Sequence, residues 1–138
     1  MNEAIFYRWI EEVWNQGKEE TVDELLADQA IVDYPYHIEK KLIHGRDEYK
    51  NFLRVIRGLF FNINIKIEQI VADDRKVIAF CSVTADRRRV EKNGGPVNIP
   101  AKTSGLCQMI IEDGKIMQAW CNIDIFGKSE LKTSGVSG

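Results

Sequence analysis

Two apolar runs meet at Asp113-Gly114 within the stretch Gly105–Gly127, GLCQMIIEDGKIMQAWCNIDIFG, and this junction constrains the fold more than any other feature. A two-residue turn of this kind needs positive φ, which Gly supplies at little cost, so the stretch predicts a β-hairpin. A two-residue loop sets Glu112 opposite Lys115, Ile111 opposite Ile116, Cys107 opposite Trp120 and Gly105 opposite Asn122. Side chains alternate across a strand. One predicted face therefore carries Thr103, Gly105, Cys107 and Met109 beside Gln118, Trp120, Asn122, Asp124 and Phe126. The other carries Ser104, Leu106, Gln108 and Ile110 beside Met117, Ala119, Cys121, Ile123 and Ile125, and reads as plain packing. The first face mixes large apolar groups with an amide and a carboxylate, the composition of a ligand pocket.

Upstream of the hairpin the period of the pattern is helical. Ile5, Phe6, Trp9, Ile10, Val13 and Trp14 predict an amphipathic helix over residues 3–15 that ends near Gly17. Thr21 to Glu24 reads as a capping box for a short second helix, with Leu25 and Leu26 turned inward. Ala30–Tyr34 is a short β-like run stopped by Pro35, and Tyr36–His44 reads as loop or irregular strand. Gly45 precedes a third helix, in which Tyr49, Phe52, Leu53, Ile56 and Phe60 keep the three-four rhythm.

The period then becomes two. Ile63, Ile65 and Ile67 alternate with polar residues, and Ile70-Val71 shifts the alternation, which predicts a bulge there. Asp73-Asp74 turns into a strand over Lys76–Ala85, followed by charged Asp86–Lys92, an Asn93–Pro96 loop and a short extended piece at Val97–Ile99. The Ser/Gly-rich end predicts a flexible tail at 129–138 behind a single domain over 1–128. Helices first and an antiparallel meander after them give an α+β architecture with the helices on one sheet face. Because the last hairpin is apolar on both faces, a homodimer through the sheet is expected to cover the other side.

At 138 residues, with 44% hydrophobic and 29% charged side chains, the chain has the composition of a globular protein with a real core. A formal net charge of -2 gives no reason to expect nucleic acid or an acidic membrane as partner. The beginning MNEAIFYRWIEEVW carries acids too early for a signal peptide or a membrane span, so a cytoplasmic protein is expected. Cys81, Cys107 and Cys121 lie in predicted strands without metal-ligand spacing and read as reduced, buried thiols. His37 and His44 flank a charged loop without metal-ligand spacing and read as surface residues; no metal is expected.

The order of elements and several short motifs resemble the SnoaL-like branch of the nuclear-transport-factor-2-like cone folds, which also include the ketosteroid isomerases. The matching residues are Trp14-Asn15-Gln16-Gly17, Leu25-Leu26-Ala27-Asp28 leading to Ala30-Ile31-Val32, Gly45–Tyr49, and Ile67-Glu68 to Lys76-Val77. Glu112–Ile116 follows, then Trp120, Asn122, Asp124 and Gly127, so the likeness spans residues 4–128. It implies a curved, mostly antiparallel sheet wrapped around N-terminal helices (a cystatin-like α+β roll), a cone-shaped pocket, homodimers, and chemistry without metal or cofactor. In the polyketide cyclases of this family an Asp on the last strand removes a proton next to a carbonyl, and Asp124 stands at the matching place. Where cyclases often carry His, this chain has Asp33 and Cys107. Set against the ketosteroid isomerases, the catalytic Asp falls at Tyr34 or Asp33, the oxyanion-binding Asp at Cys107 and the catalytic Tyr near Ile10; two of the three roles are absent, so that chemistry is not expected.

The resulting candidates are Asp124 as general base, Asn122 as donor to a developing oxyanion, and Asp33 as a second acid/base group. Each also has a structural reading, as a paired carboxylate, a backbone-satisfying amide and a turn residue respectively. Trp14, Tyr34, Phe52, Ile56, Cys107, Trp120 and Phe126 are the expected pocket wall. Cys107 has no evident base to make it a nucleophile. Arg87-Arg88-Arg89 reads as a solvated strand edge, or less readily as an anion-greeting rim. Two functions from different classes follow: a cofactor-free cyclase or isomerase acting on a small apolar carbonyl or hydroxyl compound, or a binding module that holds such a molecule without turning it over.

Overall fold

The protein, seen in a computed structural model that describes residues 2–37, 41–90 and 94–127, places three helices on a six-stranded mixed sheet. The helices are α1 (Asn2–Arg8), continued by a π-helical segment Trp9–Asn15, α2 (Glu19–Leu25) and α3 (Gly45–Leu59). The strands are β1 (Leu26–Asp33), β2 (Ile43–His44), β3 (Phe60–Ala72), β4 (Lys76–Val90), β5 (Pro96–Glu112) and β6 (Lys115–Cys121). Their spatial order is β2-β1-β6-β5-β4-β3, with every neighbouring pair antiparallel except β1 and β6. No helix among the described residues is long and apolar enough to cross a membrane.

The helices lie against one face of this sheet. Phe6, Val13, Val22 and Leu53 meet Val77, Cys81, Ile111 and Ile116 in the main core, all of them at most 2% exposed. In α3 the buried positions Tyr49, Leu53 and Ile56 follow the predicted stripe. Strand alternation does the rest. Val77, Ala79, Cys81 and Val83 of β4 are buried, whereas Ile78 and Phe80 between them face outward.

Several local expectations change. The first helix is not α-helical throughout: it widens at Trp9, and Gln16 N–H donates to Glu11 O, five residues back, at 3.0 Å. A π segment stacks residues five apart, which carries Trp9 and Trp14 toward the same side. The end of the segment is locked by Asn15, whose side chain accepts from Ile65 N at 2.8 Å and donates to Ile65 O at 3.1 Å. Helix α2 begins at Glu19, before the expected capping box, and Thr21 lies inside it, donating to Glu12 at 2.7 Å. Glu12 is thereby held down to about 2, first by its hydrogen bonds with Arg8 and then by Thr21.

The strands run further than their alternation suggests. β1 already starts at Leu26, β4 continues through the arginine run to Val90, and the piece at Val97–Ile99 is part of a continuous β5. β3 stops pairing with β4 at Phe60–Arg87, so the rest of the β4–β5 ribbon projects beyond it. The β3 irregularities lie between Phe61 and Asn64 and between Ile67 and Gln69, not at Ile70-Val71. The expected tail, the centre of the Tyr36–His44 loop and residues 91–93 lie outside the described residues.

Candidate functional site

The hairpin turn forms as expected, with Asp113 and Gly114 both at positive φ (52° and 74°) and Glu112 opposite Lys115. Beyond it the register departs from simple counting. Ile111 pairs with Ile116, but Ile110 pairs with Gln118, so Met117 is an extra residue that bulges out. Cys107 consequently faces Cys121, and Trp120 faces Gln108 and, on the other side, Asp33. One inserted residue flips the rest of β6 relative to β5. The predicted face that grouped Cys107 with Trp120 is therefore corrected: Cys107, Met109, Ala119 and Cys121 share the helix-facing side. Asp33, Gln108 and Trp120 belong to the opposite one.

A cavity of about 100 Å³ lies between the helix-facing side of the sheet and the helices. Trp9, Ile10 and Trp14 of the π segment, Tyr49, Phe52 and Ile56 of α3, and Tyr34 after β1 form one wall. Cys107, Met109, Ala119 and Cys121 form the other, with Ile123 and Ile125 closing the end. Trp120 and Gln108 border it where their strands pass, although alternation turns their side chains to the outer face. The aromatic wall is continuous. Trp9 and Tyr49 lie 5.0 Å apart between ring centres, Trp14 and Phe52 5.9 Å, and Tyr34 and Phe52 5.5 Å; outside the cavity lining, the His37 ring stacks on Phe52 at 5.4 Å.

The hydroxyl groups in this wall belong to two tyrosines. Tyr49 accepts from Trp14 Nε1 at 2.9 Å, which leaves its own hydrogen to offer. Tyr34 donates to Ile123 O at 2.6 Å. Burial raises the pKa of both phenols above the ordinary tyrosine value, so both stay neutral around neutral pH. Three thiols cluster on neighbouring strands at the sheet wall. Cys107 donates to Cys121 across 2.9 Å, and its hydrogen bonds with Cys121 and Cys81, with burial behind them, hold its own thiol well above the ordinary value.

Of the expected wall residues, Trp14, Tyr34, Phe52, Ile56 and Cys107 line the cavity, and Trp120 borders it. Phe126 does not; it packs edge-to-face against Phe60 at 5.6 Å between ring centres and lines two outer grooves. The three acid/base candidates also lie elsewhere. Asp33 is exposed on the outer face, because β1 alternation buries Val32 and Tyr34 on either side of it. Asn122 follows the end of β6 and uses its Oδ1 to accept from Leu106 N at 2.7 Å, continuing the ladder with its side chain. Asp124 is 9% exposed and lines a separate groove of about 390 Å³ with Arg87, Lys102 and Thr103. Counting alternation to Asp124 fails because the strand ends at Cys121. That groove touches the cavity through Ile125, which lines both.

Tyr49, Trp9 and Cys121 were not singled out as site residues. Tyr49 did carry a signal, since a phenol on the buried stripe of a helix needs a polar partner for its hydroxyl. Among the described residues no group of His, Cys, Asp and Glu side chains is arranged to hold a metal ion.

A family model for SnoaL-like polyketide cyclases matches residues 4–128 of the chain. Solved structures of the same shape include a candidate SnoaL-like polyketide cyclase from Jannaschia sp. CCS1 (TM-score 0.77, 14% identity), with 93% of this chain and 88% of that one covered. IdmH of Streptomyces antibioticus, a candidate polyketide cyclase, matches with TM-score 0.76 and 18% identity over 93% of this chain and 97% of its own. A candidate polyketide cyclase from Acidithiobacillus ferrooxidans matches with TM-score 0.75 and 20% identity over 95% and 94%. At these identities the likeness is one of fold. No curated protein sequence matches this chain.

Proposed function

Since this chain belongs to the SnoaL-like polyketide cyclase family, we propose that its cone cavity takes up a small, mainly apolar molecule bearing one or two carbonyl or hydroxyl groups. The carrying observation is the wall itself: aromatic and aliphatic side chains, two neutral phenols and two thiols, with no carboxylate, imidazole or ammonium group among the lining residues. Apolar walls supply affinity through burial, and the Tyr49 hydroxyl supplies orientation by donating to a ligand oxygen. Binding without turnover is therefore the function the geometry supports best.

A second reading keeps proton abstraction next to a carbonyl, without metal or cofactor. It rests on Asp124, which is buried and separated from the cavity by Ile125, so a ligand passing Ile125 would reach a carboxylate. The same proposal includes a homodimer through the outer sheet face and a cytoplasmic setting, where three free thiols stay reduced.

Titration with a fluorescent apolar probe tests the binding reading. Saturable uptake by the natural chain and its loss in Ala119→Leu, which fills the cavity, are expected; undiminished uptake in that variant would refute it. For the second reading, Asp124→Asn should abolish turnover of a carbonyl compound while probe uptake persists. Full turnover in that variant would remove Asp124 as the base.

A further inference from the structure

Cys107 and Cys121 stand directly opposite one another on β5 and β6, and both line the cavity. Their place in the ladder matters. Asn122 N–H donates to Leu106 O at 3.0 Å, which makes Leu106 and Asn122 the hydrogen-bonded pair and Cys107 and Cys121 the adjacent non-hydrogen-bonded pair. Such pairs bring their Cα atoms to about 4.5 Å, the closest approach in an antiparallel sheet, with side chains on the same side. A disulfide spans Cα separations of about 4.4–6.8 Å. Here the two Sγ atoms already lie 2.9 Å apart.

The third thiol is placed differently. Cys81 on β4 is opposite Gly105, so it is a diagonal neighbour of Cys107, and it is fully buried outside the cavity lining. Diagonal neighbours in a sheet are further apart than direct partners. Within this cluster, then, one pair is set for bonding and reachable from the cavity.

We propose that Cys107 and Cys121 form a reversible dithiol–disulfide site that reduces a small hydroperoxide entering the cavity. Cys121, the more exposed of the two, attacks the peroxide oxygen. Its S–O bond forms, the O–O bond breaks, and the alcohol (or water, from hydrogen peroxide) leaves carrying a proton. Cys107 Sγ then attacks the sulfenic sulfur; the S–S bond forms, the S–O bond breaks, and hydroxide leaves as water with the second thiol proton. Two thiols are oxidised by two electrons, and one hydroperoxide is reduced to an alcohol and water. The cross-strand bond closes inside an existing register, so no backbone rearrangement is needed. This inference does not depend on which molecule the cavity otherwise binds.

The test uses the natural chain and hydrogen peroxide near stoichiometric amounts. The thiol titre of the unfolded protein should fall from three to one, and the intact mass should fall by two hydrogens. A non-reducing tryptic digest should join the Thr103–Lys115 peptide to the Ile116–Lys128 peptide, and dithiothreitol should separate them. Cys81→Ala should keep this linkage and Cys107→Ser should lose it. Linkage of Val77–Arg87 to Thr103–Lys115 would overturn the assignment, because Cys81 would then be the partner. Oxygen addition to separate cysteines without any linkage, or an unchanged titre, would overturn the site altogether. Because the digest is read on the natural chain, the outcome stands even if a substituted protein fails to fold.

Discussion

The phenol of Tyr34 donates to the carbonyl of Ile123 at 2.6 Å, fastening the end of β1 to the segment that follows β6. Ile125 N–H approaches the Tyr34 phenol oxygen at 3.4 Å. This one side chain therefore holds the partition between the apolar cavity, which Tyr34 lines, and the Asp124 groove beyond Ile125. Tyr34→Phe keeps the ring packed on Phe52 but removes one of two donors to the Ile123 carbonyl, leaving Ile125 N–H at 3.1 Å. The expected loss of stability is about 0.5–1.5 kcal/mol, the net worth of one hydrogen bond whose acceptor keeps a second donor. Urea denaturation checks it. An unchanged midpoint would show that the hydrogen bond contributes nothing net.

The two buried phenols also set a pH dependence. Burial is the leading cause that raises the pKa of Tyr34 and Tyr49 above the ordinary value of 10.0. In the unfolded chain they ionise near that value, whereas in the folded chain they keep their protons to higher pH. Their contribution is fully present below pH 10 and is lost as pH rises from there toward the folded values. Urea midpoints should therefore fall as pH rises above 10, and less steeply in Tyr49→Phe. Equal slopes in the two proteins would contradict the burial of Tyr49.

How far the sequence reaches is clearest at the hairpin. Asp113-Gly114 announces the turn, and the first two pairs follow from it, because a two-residue loop fixes register locally. The bulge at Met117 has no such signature. Its one-residue shift reverses which face of β6 meets Cys107, and with it the composition of the cavity wall. The helix-side wall was legible through Trp14, Phe52 and Ile56, whose spacing marks an inward stripe. The places of Asn122 and Asp124 were not, because both follow the end of β6 at Cys121. The π segment was equally hidden: Phe6, Trp9, Ile10, Val13 and Trp14 fit the three-four rhythm of an α-helix, and the wider turn is held by tertiary partners such as Asn15 with Ile65.

Gly105 is the position where a single methyl group should be felt most sharply in β5. A Cβ there would lie 2.6 Å from Asn122 Oδ1 and 3.1 Å from Asn122 O. The backbone atom cannot give way cheaply, and moving the side chain breaks its hydrogen bond from Leu106 N. Gly105→Ala should destabilise the protein by roughly 1–3 kcal/mol, the range for overpacking a well-filled site. Thermal unfolding measures it. An unchanged or raised midpoint would mean that Asn122 relaxes without loss.

The outer sheet face carries the last prediction. Phe80 lies opposite Leu106, and Ile78 is two residues along the same face of β4. They are 38%, 44% and 39% exposed, an apolar cluster on the side the helices leave uncovered. Trp120 and Ile110 belong to the same face by register, so the patch continues across β5 onto β6. Contiguous apolar surface of this kind favours self-association, and a twofold pairing would bury the same residues from both copies. Charges placed there must be desolvated to keep the pair together, whereas in a monomer they cost little. Phe80→Lys with Leu106→Glu within one chain would confound the test, since the two directly opposed residues could pair with each other. Phe80→Lys with Leu106→Lys avoids this and sets like charges against both copies. Sedimentation equilibrium should give a dimer for the natural chain and a monomer for the double variant, with near-unchanged circular dichroism. A natural chain that is monomeric at every concentration would refute the interface, and a double variant that stays dimeric would move it to another surface.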